Sequence, residues 1–524
     1  MSKTIEIDTV AAIIRNNAES NANRTATVYK DVHYSFLTHY ERAQKLGDSL
    51  SRLDCKPGDR IAILAKNSIQ YLEIYSACEI AGYIIVPINF RLSTPEIAYI
   101  LGNTTPCVCF YSSEYEDEIK STRKELDDVQ HYIRIDESNA DADEYGEFLE
   151  AGEVITPRYM PGADDPACII HTSGTTGRPK GAVLTQGALY GIANTISSDA
   201  DIQSGDLGLV MQPLFHVGAK FLQLAHHIRG ATINLQTAFD PVMVWKMLVR
   251  EDITTMQVVP TMLDMLLDEI KDGDYPPTKL KTIFYSTAPI RESLLRRGLA
   301  VFGQVFLQQY GSTEGGQVTT LAKRHHINDG TEDEQRWLTS AGSANPEIEV
   351  RVVDNEGHDL PTGKVGEIVV KHSNIMKGYW NDEESTSSTI VEGFLHMGDI
   401  GYLDKDGFLY IVDRKKDMII SGGENIYPRE VEAALVLHPA VMETAVIGVP
   451  DNRWGEAVLA FVVCNEGMFV TEEELIAHCK EHIASYKKPK SVSFVKELPR
   501  IATGKVDKVL LRRPYWEGQK RVLI

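Results

Sequence analysis

The sequence predicts an α/β protein of at least two domains, on three observations. Its 524 residues exceed what a single hydrophobic core usually supports. Apolar strand patterns alternate with helix patterns over most of the chain, which indicates a parallel sheet with helices on both faces. From about Ser343 the texture changes to strands and turns, which suggests a small β-rich subdomain, and a compact α/β stretch with its own helices and strands follows Arg414. The domain boundary is expected at Asp413 to Lys416.

The elements follow in order. Thr9 to Asn17 has amphipathic helix spacing, and Tyr34-Ser35-Phe36 leads into a helical pattern that runs through Leu53. The turn Lys56-Pro57-Gly58 opens a strand at Asp59 to Leu64. Ser68 to Ala81 reads as a helix closed by Gly82, with the apolar strand Tyr83 to Val86 behind it. Asp136 to Glu150 is acidic and poor in large apolar residues, so a solvated connector is expected there. Ala167 to His171 and Ala182 to Thr185 read as strands, and Thr185 is placed to cap a helix starting near Gln186. Further strands are expected at Leu207 to Met211, Met256 to Val259, Leu280 to Ser286 and Val305 to Leu307. Helices are expected at Val242 to Glu251 and Thr261 to Ile270. The β-rich part has strands at Glu347 to Val353, Gly366 to Lys371 and Gly407 to Val412. The last stretch has helices at Pro428 to Leu437 and Thr471 to His482, and strands at Thr444 to Val449 and Ala457 to Val463.

Composition excludes several function classes. A formal charge of −21 argues against a nucleic-acid or anionic-membrane partner. No apolar run approaches the roughly 20 residues of a membrane span. The first residues lack a basic region followed by an apolar one, so a cytoplasmic location is the expectation. The seven cysteines are scattered, without metal spacing, and are expected to be core residues or free thiols.

The run Thr172-Ser173-Gly174-Thr175-Thr176-Gly177-Arg178-Pro179-Lys180-Gly181 is the most informative in the chain. Glycines expose backbone N–H groups, the hydroxyls add donors, and two cations stand beside them, which together suit a polyphosphate. It is not the P-loop of ordinary NTPases. Only two residues separate Gly174 from Gly177, Lys180 precedes a glycine, and a strand follows instead of a helix.

This run closely resembles the phosphate-binding signature of the adenylate-forming superfamily, which holds acyl-CoA synthetases, the adenylation domains of peptide synthetases, and luciferases. Other motifs occur in that family's order, and the resemblance covers about Thr25 to Arg513. It implies an α/β fold: a large N-terminal domain of two layered α/β subdomains plus a small β-rich one, and a small mobile α+β C-terminal domain. The first, residues 1–413, would carry the acyl and ATP sites, and the second, 414–524, the catalytic lysine and the CoA channel.

The resemblance assigns the residues as follows. Gln309-Tyr310-Gly311-Ser312-Thr313-Glu314 looks like the adenine and metal segment, with Glu314 a hard oxygen ligand for Mg2+ and Thr172 a second oxygen. Thr176 and Lys180 belong to the phosphate loop. Asp399, between glycines, would accept hydrogen bonds from the ribose hydroxyls, and Arg414 would contact ribose or phosphate. Lys416 matches the hinge about which the C-terminal domain turns. Lys505, in Thr503-Gly504-Lys505-Val506, matches the mobile catalytic lysine that bridges the carboxylate and the α-phosphate. His216 resembles the aromatic or histidine gate of the carboxylate pocket, against the plainer reading of a half-buried, satisfied histidine. Gly422-Gly423 would let a pantetheine arm approach, and Trp454, Tyr486, Lys488 and Lys490 resemble CoA contacts.

One departure bears on the substrate. Tyr285-Ser286-Thr287-Ala288-Pro289 stands where many relatives have Ser-Gly-Gly-Ala-Pro, and Gln309 stands where many have glycine or alanine. The added side chains are expected to narrow the acyl pocket, which favours a short- or medium-chain, cyclic or aryl acid over a long straight chain. The resemblance implies a ligase that consumes a small carboxylic acid, ATP with Mg2+, and CoA. The alternatives are an adenylating enzyme with another acceptor, such as a carrier protein or oxygen, a long-chain fatty-acid–CoA ligase, and a catalytically silent nucleotide-binding protein. Trp454 with the nearby lysines favours CoA. The acid itself stays open, as does oligomeric state, a homodimer included.

Overall fold

In a computed structural model the described residues are 8–124, 126, 129–136, 144–172, 179–270, 279–288, 290–421, 424–500 and 505–517. The chain divides into two compact units, Met1–Val350 with Val370–Leu395, and Arg351–Val369 with His396–Ile524.

The first unit holds two sheets, where alternation alone implied parallel pairing without saying how many sheets. A nine-stranded sheet has a parallel centre made of Phe306–Ser312, Thr282–Tyr285, Thr255–Val258, Leu207–Val210, Thr232–Leu235 and Thr25–Tyr29. Its edges are antiparallel, with Gly316–Leu321 and Ser343–Ala344 at one end and Val32–Ser35 at the other. A seven-stranded sheet runs Gly378–Tyr379, Lys180–Thr185, Pro166–Thr172, Ile84–Pro87, Arg60–Leu64, Val108–Tyr111 and His131–Arg134. The strands that precede residue 140 are thus shared between the sheets, since Thr25–Tyr29 and Val32–Ser35 join the far one.

Local chemistry explains the elements the sequence announced. Thr9, Ser35, Ser68 and Thr185 each cap a helix by accepting a backbone N–H with the side-chain oxygen. The helix Ile69–Ala81 is buried on nearly all sides and stops at Gly82, which takes a left-handed φ of 79°. Apolar side chains of the central strands, such as Ile61, Ile63, Met256, Val258 and Ile283, are fully buried.

Two expectations are corrected. Part of the supposed connector is the helix Glu144–Glu150, which buries Tyr145 and Leu149, and the Tyr145 hydroxyl donates to Glu73 at 2.6 Å. Two apolar residues on one side of an acidic turn suffice once a neighbouring helix supplies the partner. Cys55 and Cys107 form a disulfide, with Cα atoms 6.3 Å apart, instead of staying free. The other five cysteines are unpaired thiols.

In the second unit residues 399–403 pair antiparallel with Leu409–Arg414. A further five-stranded sheet contains Glu424–Ile426, Ile419–Ser421, Gly455–Cys464, Val441–Asp451 and Ser491–Phe494, and the helices Pro428–Val436 and Glu472–His482 accompany it. Among the described residues no helix is long and apolar enough to cross a membrane.

Candidate active site

The residues expected to hold the nucleotide stand on a hairpin of the first unit. Pro166–Thr172 and Lys180–Thr185 pair antiparallel, with Thr172 opposite Lys180, so both stand at the mouth of the phosphate loop. Ser173, Gly174, Thr175, Thr176, Gly177 and Arg178 lie outside the described residues. The tight turn Thr313–Gly315 follows the strand Phe306–Ser312 and brings Glu314 to the hairpin. The Thr172 hydroxyl donates to Glu314 Oε1 at 3.0 Å. Ser312 Oγ accepts the Gly315 amide at 2.9 Å and closes the turn. Gly311 is required here, because a Cβ would lie 1.8 Å from the Gly316 carbonyl oxygen.

A residue that sequence reasoning missed completes this group. The Tyr379 hydroxyl donates to the same Glu314 oxygen at 3.1 Å, and Lys180 Nζ stands 5.2 Å from the centre of the Tyr379 ring. Burial, then the Glu314 carboxylate, push the Tyr379 phenol pKa up, so it stays a donor. The short strand Gly378–Tyr379 reaches the site by pairing with Lys180–Thr185, a contact that local sequence does not announce. Thr172 and Glu314 offer two hard oxygens in hydrogen-bond contact, a donor set that fits Mg2+. Next to Thr172 in the chain, His171 has both ring nitrogens buried without a partner among the described residues, and burial holds its pKa at about 4, so it is neutral.

The residues expected at the acyl pocket lie on the nine-stranded sheet, whereas the hairpin belongs to the seven-stranded one. Strand register sets Gln257 beside Phe284 and Tyr285 beside Gln308, so Gln257, Phe284, Ser286 and Gln309 project from one face. Against that face, Ile196, Gly218, Phe221 and Leu222 complete a cavity of about 30 Å³ lined also by Gln257, Phe284 and Gln309. Ser286 Oγ accepts from Gln257 Nε2 at 3.0 Å. Thr287 is exposed and takes a φ of 70°, a conformation that costs a β-branched residue of order 1–3 kcal/mol. Ala288 is half-buried beside it, and Pro289 lies outside the described residues. His216 is the N-cap of the helix Val217–His227, and its Nδ1 accepts the Gly218 amide at 3.2 Å, which leaves the ring proton on Nε2.

The second unit holds Asp399, Arg414 and Lys505, the residues expected at the ribose and the α-phosphate. Asp399 pairs with Arg414 across adjacent strands, with Arg414 Nε 2.9 Å from Asp399 Oδ1. Lys505 has a solvent-accessible side chain, yet its ammonium pKa is lowered, by desolvation first and then by Arg414 and Lys416, with Asp399 opposing. The segment behind it is firmly held. Lys508 pairs with Glu432 at 2.7 Å and Arg512 with Asp417 at 2.5 Å, next to Lys416.

Of the CoA candidates, Trp454 and Lys490 come together. Lys490 Nζ lies 5.7 Å from the Trp454 ring centre, and the Arg453 guanidinium, unforeseen, lies 5.0 Å from it. Tyr486 is exposed with Lys487 at 5.7 Å, but Lys487 is held by Glu430 at 2.6 Å. Burial and the like charges of Lys490 and Lys480 lower the Lys488 pKa. Gly422 and Gly423 lie outside the described residues.

Comparisons with known proteins show the family and the fold. The AMP-binding enzyme model matches residues 14–380, and the model for the AMP-binding enzyme C-terminal domain matches residues 430–505. A feruloyl-CoA synthase of Amycolatopsis sp is 36% identical over 499 residues, covering 95% of this chain and 97% of its own. A fatty acid–[acyl-carrier-protein] ligase of Streptomyces coeruleorubidus is 33% identical, with 92% of each chain covered. The o-succinylbenzoate CoA synthetase of Bacillus subtilis, solved with its acyl-adenylate intermediate, superimposes with a TM-score of 0.85 at 32% identity, covering 95% of this chain and 97% of its own. That enzyme is also solved with ATP and a magnesium ion. Matched in both of its parts by the family models, and along nearly its whole length by these relatives, the chain belongs to the AMP-binding enzymes and is of their acyl-CoA synthetase type.

Proposed function

We propose that the protein is an ATP-dependent carboxylate–CoA ligase acting on a short- or medium-chain, cyclic or aryl acid. It would form an acyl-adenylate, then an acyl-CoA thioester, and release AMP and pyrophosphate. The observation that carries this reading is the pair of preorganised groups in one chain. Thr172, Glu314, Tyr379 and Lys180 interlock in the first unit, and Asp399, Arg414 and Lys505 gather in the second.

In the first half-reaction a carboxylate oxygen of the acid attacks the α-phosphorus of ATP, and the bond to pyrophosphate breaks. The loop from Thr172 to Gly181, with the Thr176 hydroxyl and Lys180, holds the leaving pyrophosphate. Gln309 to Thr313 border the adenine and phosphates, and Asp399 with Arg414 holds the ribose. Lys505 brings its ammonium to the charge that builds on the α-phosphate. Glu314 and Thr172 would hold Mg2+, which when bound neutralises phosphate charge. His216 orients the carboxylate at the pocket mouth, and Ser286, Thr287 and Ala288 border the acyl side.

The residues from 414 onward then turn about Lys416 and withdraw Lys505. In the second half-reaction the CoA sulfur loses its proton and attacks the acyl carbonyl. The carbon–oxygen bond to AMP breaks, and AMP leaves with the electron pair. Gly422-Gly423 borders the thiol channel, and Trp454, Tyr486, Lys488 and Lys490 hold the nucleotide end of CoA. The site of action is the cytoplasm, where ATP and CoA are both at hand.

A second acceptor, a carrier protein, is favoured by the likeness to the acyl-carrier-protein ligase. The cation-flanked Trp454 ring favours CoA. Release of AMP from ATP and a panel of acids, with and without CoA, tests the reading. CoA-dependent AMP with a stoichiometric thioester supports it. AMP formed only with a carrier protein supports the second acceptor, and no AMP with any acid sinks both.

A further inference from the structure

One short segment of the first unit braces Glu314 through both its main chain and its side chain. The Met376 amide donates to the Glu314 carbonyl oxygen at 2.7 Å. His372 Nε2 donates to the carbonyl oxygen of the next residue, Gly315, at 3.0 Å, while its Nδ1 accepts the Asn374 amide at 3.2 Å. Those two bonds fix one tautomer, and burial lowers the ring pKa, which keeps it neutral. The Tyr379 hydroxyl then reaches the Glu314 carboxylate at 3.1 Å. Residues 372–379 therefore hold the main chain of the turn and the acidic group it carries.

The brace is anchored in turn just past Tyr379. Trp380 donates its amide to the Gly181 carbonyl at 2.7 Å and its indole N–H to the Asn103 carbonyl at 3.3 Å. The Arg60 guanidinium stands 5.5 Å from the Trp380 ring centre and donates to the Thr104 and Thr105 carbonyls at 2.8 and 3.0 Å. Tyr379 is thus fixed from its backbone outward, and it meets two site residues at once. Its hydroxyl bonds Glu314, and its ring centre lies 5.2 Å from Lys180 Nζ.

Hydrogen bonds fall unevenly on the carboxylate. Thr172 and Tyr379 both donate to Glu314 Oε1, and among the described residues no hydrogen bond engages Oε2. A carboxylate oxygen has roughly two acceptor sites, so Oε1 is filled while Oε2 keeps its lone pairs. Thr172 spends its proton on Oε1 and keeps the lone pairs of its own oxygen.

Resting on the ligase reading, we infer that Tyr379 is a positioning residue for the divalent cation of the nucleotide. It commits Glu314 Oε1 to the protein and leaves Oε2, with the Thr172 oxygen, to ligate, while its ring separately steadies Lys180. His372 is a second positioning residue and acts through the Gly315 carbonyl. Groups that orient a ligating carboxylate are worth about 10–100-fold in metal affinity.

The test reads binding apart from turnover. The full chain is titrated calorimetrically with α,β-methylene-ATP, which cannot be cleaved between the α- and β-phosphorus, once with excess Mg2+ and once with EDTA. The ratio of the two affinities is the gain due to Mg2+, and it does not depend on the folded fraction of a variant. Tyr379→Phe keeps the ring and loses the hydroxyl, so the gain should fall at least about tenfold with the EDTA affinity unchanged. Tyr379→Leu loses the ring too and should also weaken binding in EDTA, because Lys180 is no longer steadied. His372→Phe should lower the gain, and His372→Gln, which keeps a donor, should restore most of it. A gain unchanged in Tyr379→Phe overturns the inference. Equal EDTA affinities in the two Tyr379 variants remove the Lys180 part, and a gain as low in His372→Gln as in His372→Phe removes the role of His372. A wild-type chain that gains nothing from Mg2+ overturns Glu314 as a ligand and the inference with it. The expected pattern in a chain that adenylates no acid upholds the positioning role and overturns the ligase reading.

Discussion

At the scale of single residues, the proposed chemistry rests on one ammonium and one carboxylate. Desolvation, then the charges of Arg414 and Lys416 against that of Asp399, lower the Lys505 pKa from the ordinary 10.5. A lowered lysine gives up its proton at lower pH than usual, so the adenylation half-reaction should lose activity on an alkaline limb that begins below 10.5. Lys505→Ala should cut pyrophosphate exchange into ATP by roughly 10²–10³-fold with ATP binding retained, and Lys505→Arg should move the alkaline limb upward. A limb unmoved in the arginine variant would assign it to another group. Glu314 and Thr172 were legible because each stands in a run whose neighbours carry related chemistry. Tyr379 was not, because an isolated aromatic meets Glu314 only through the strand beside it.

Among elements, local rules served well where the periodicity was strong. Strands such as Arg60–Leu64 and Gly366–Lys371, and helices such as Phe36–Arg52, lie within a residue or two of their expected bounds. The helix Glu144–Glu150 escaped because its short apolar face gains a partner only in the folded state. The C-terminal helix Lys508–Trp516 shows what anchors the lysine. Arg512 lies on Asp417, Lys508 on Glu432, and the Trp516 indole donates to the Gly448 carbonyl at 2.9 Å. Arg512→Met would leave the Asp417 carboxylate without its guanidinium, a loss of about 3 kcal/mol. Urea unfolding with hydrogen exchange should place that loss in the second unit. Adenylation should fall with it, and wild-type exchange rates in this helix would contradict the anchor.

For the whole molecule, buried histidines set the response to acid. Burial holds His39, His226 and His326 at pKa values of about 4, all in the first unit. These values lie below the unfolded 6.5, so the native state keeps the rings neutral while the unfolded chain takes up protons first. The stability they contribute is complete above 6.5 and is lost as pH falls toward 4, with a slope of up to about 4 kcal/mol per pH unit for the three. Urea unfolding followed from pH 7 to about 4.5 should show this steepening, and a flat profile would mean that the rings are hydrated in the native state. The sequence by itself determined the nucleotide chemistry and the order of the motifs, because each motif is contiguous and its residue types meet one chemical demand. Tertiary structure decided that two sheets share the N-terminal strands, that Tyr379 grips Glu314, and that His372 holds the Gly315 carbonyl beside it. Each of these depends on strands distant in sequence being laid side by side, and strand register is a property of the packed core that no local pattern contains.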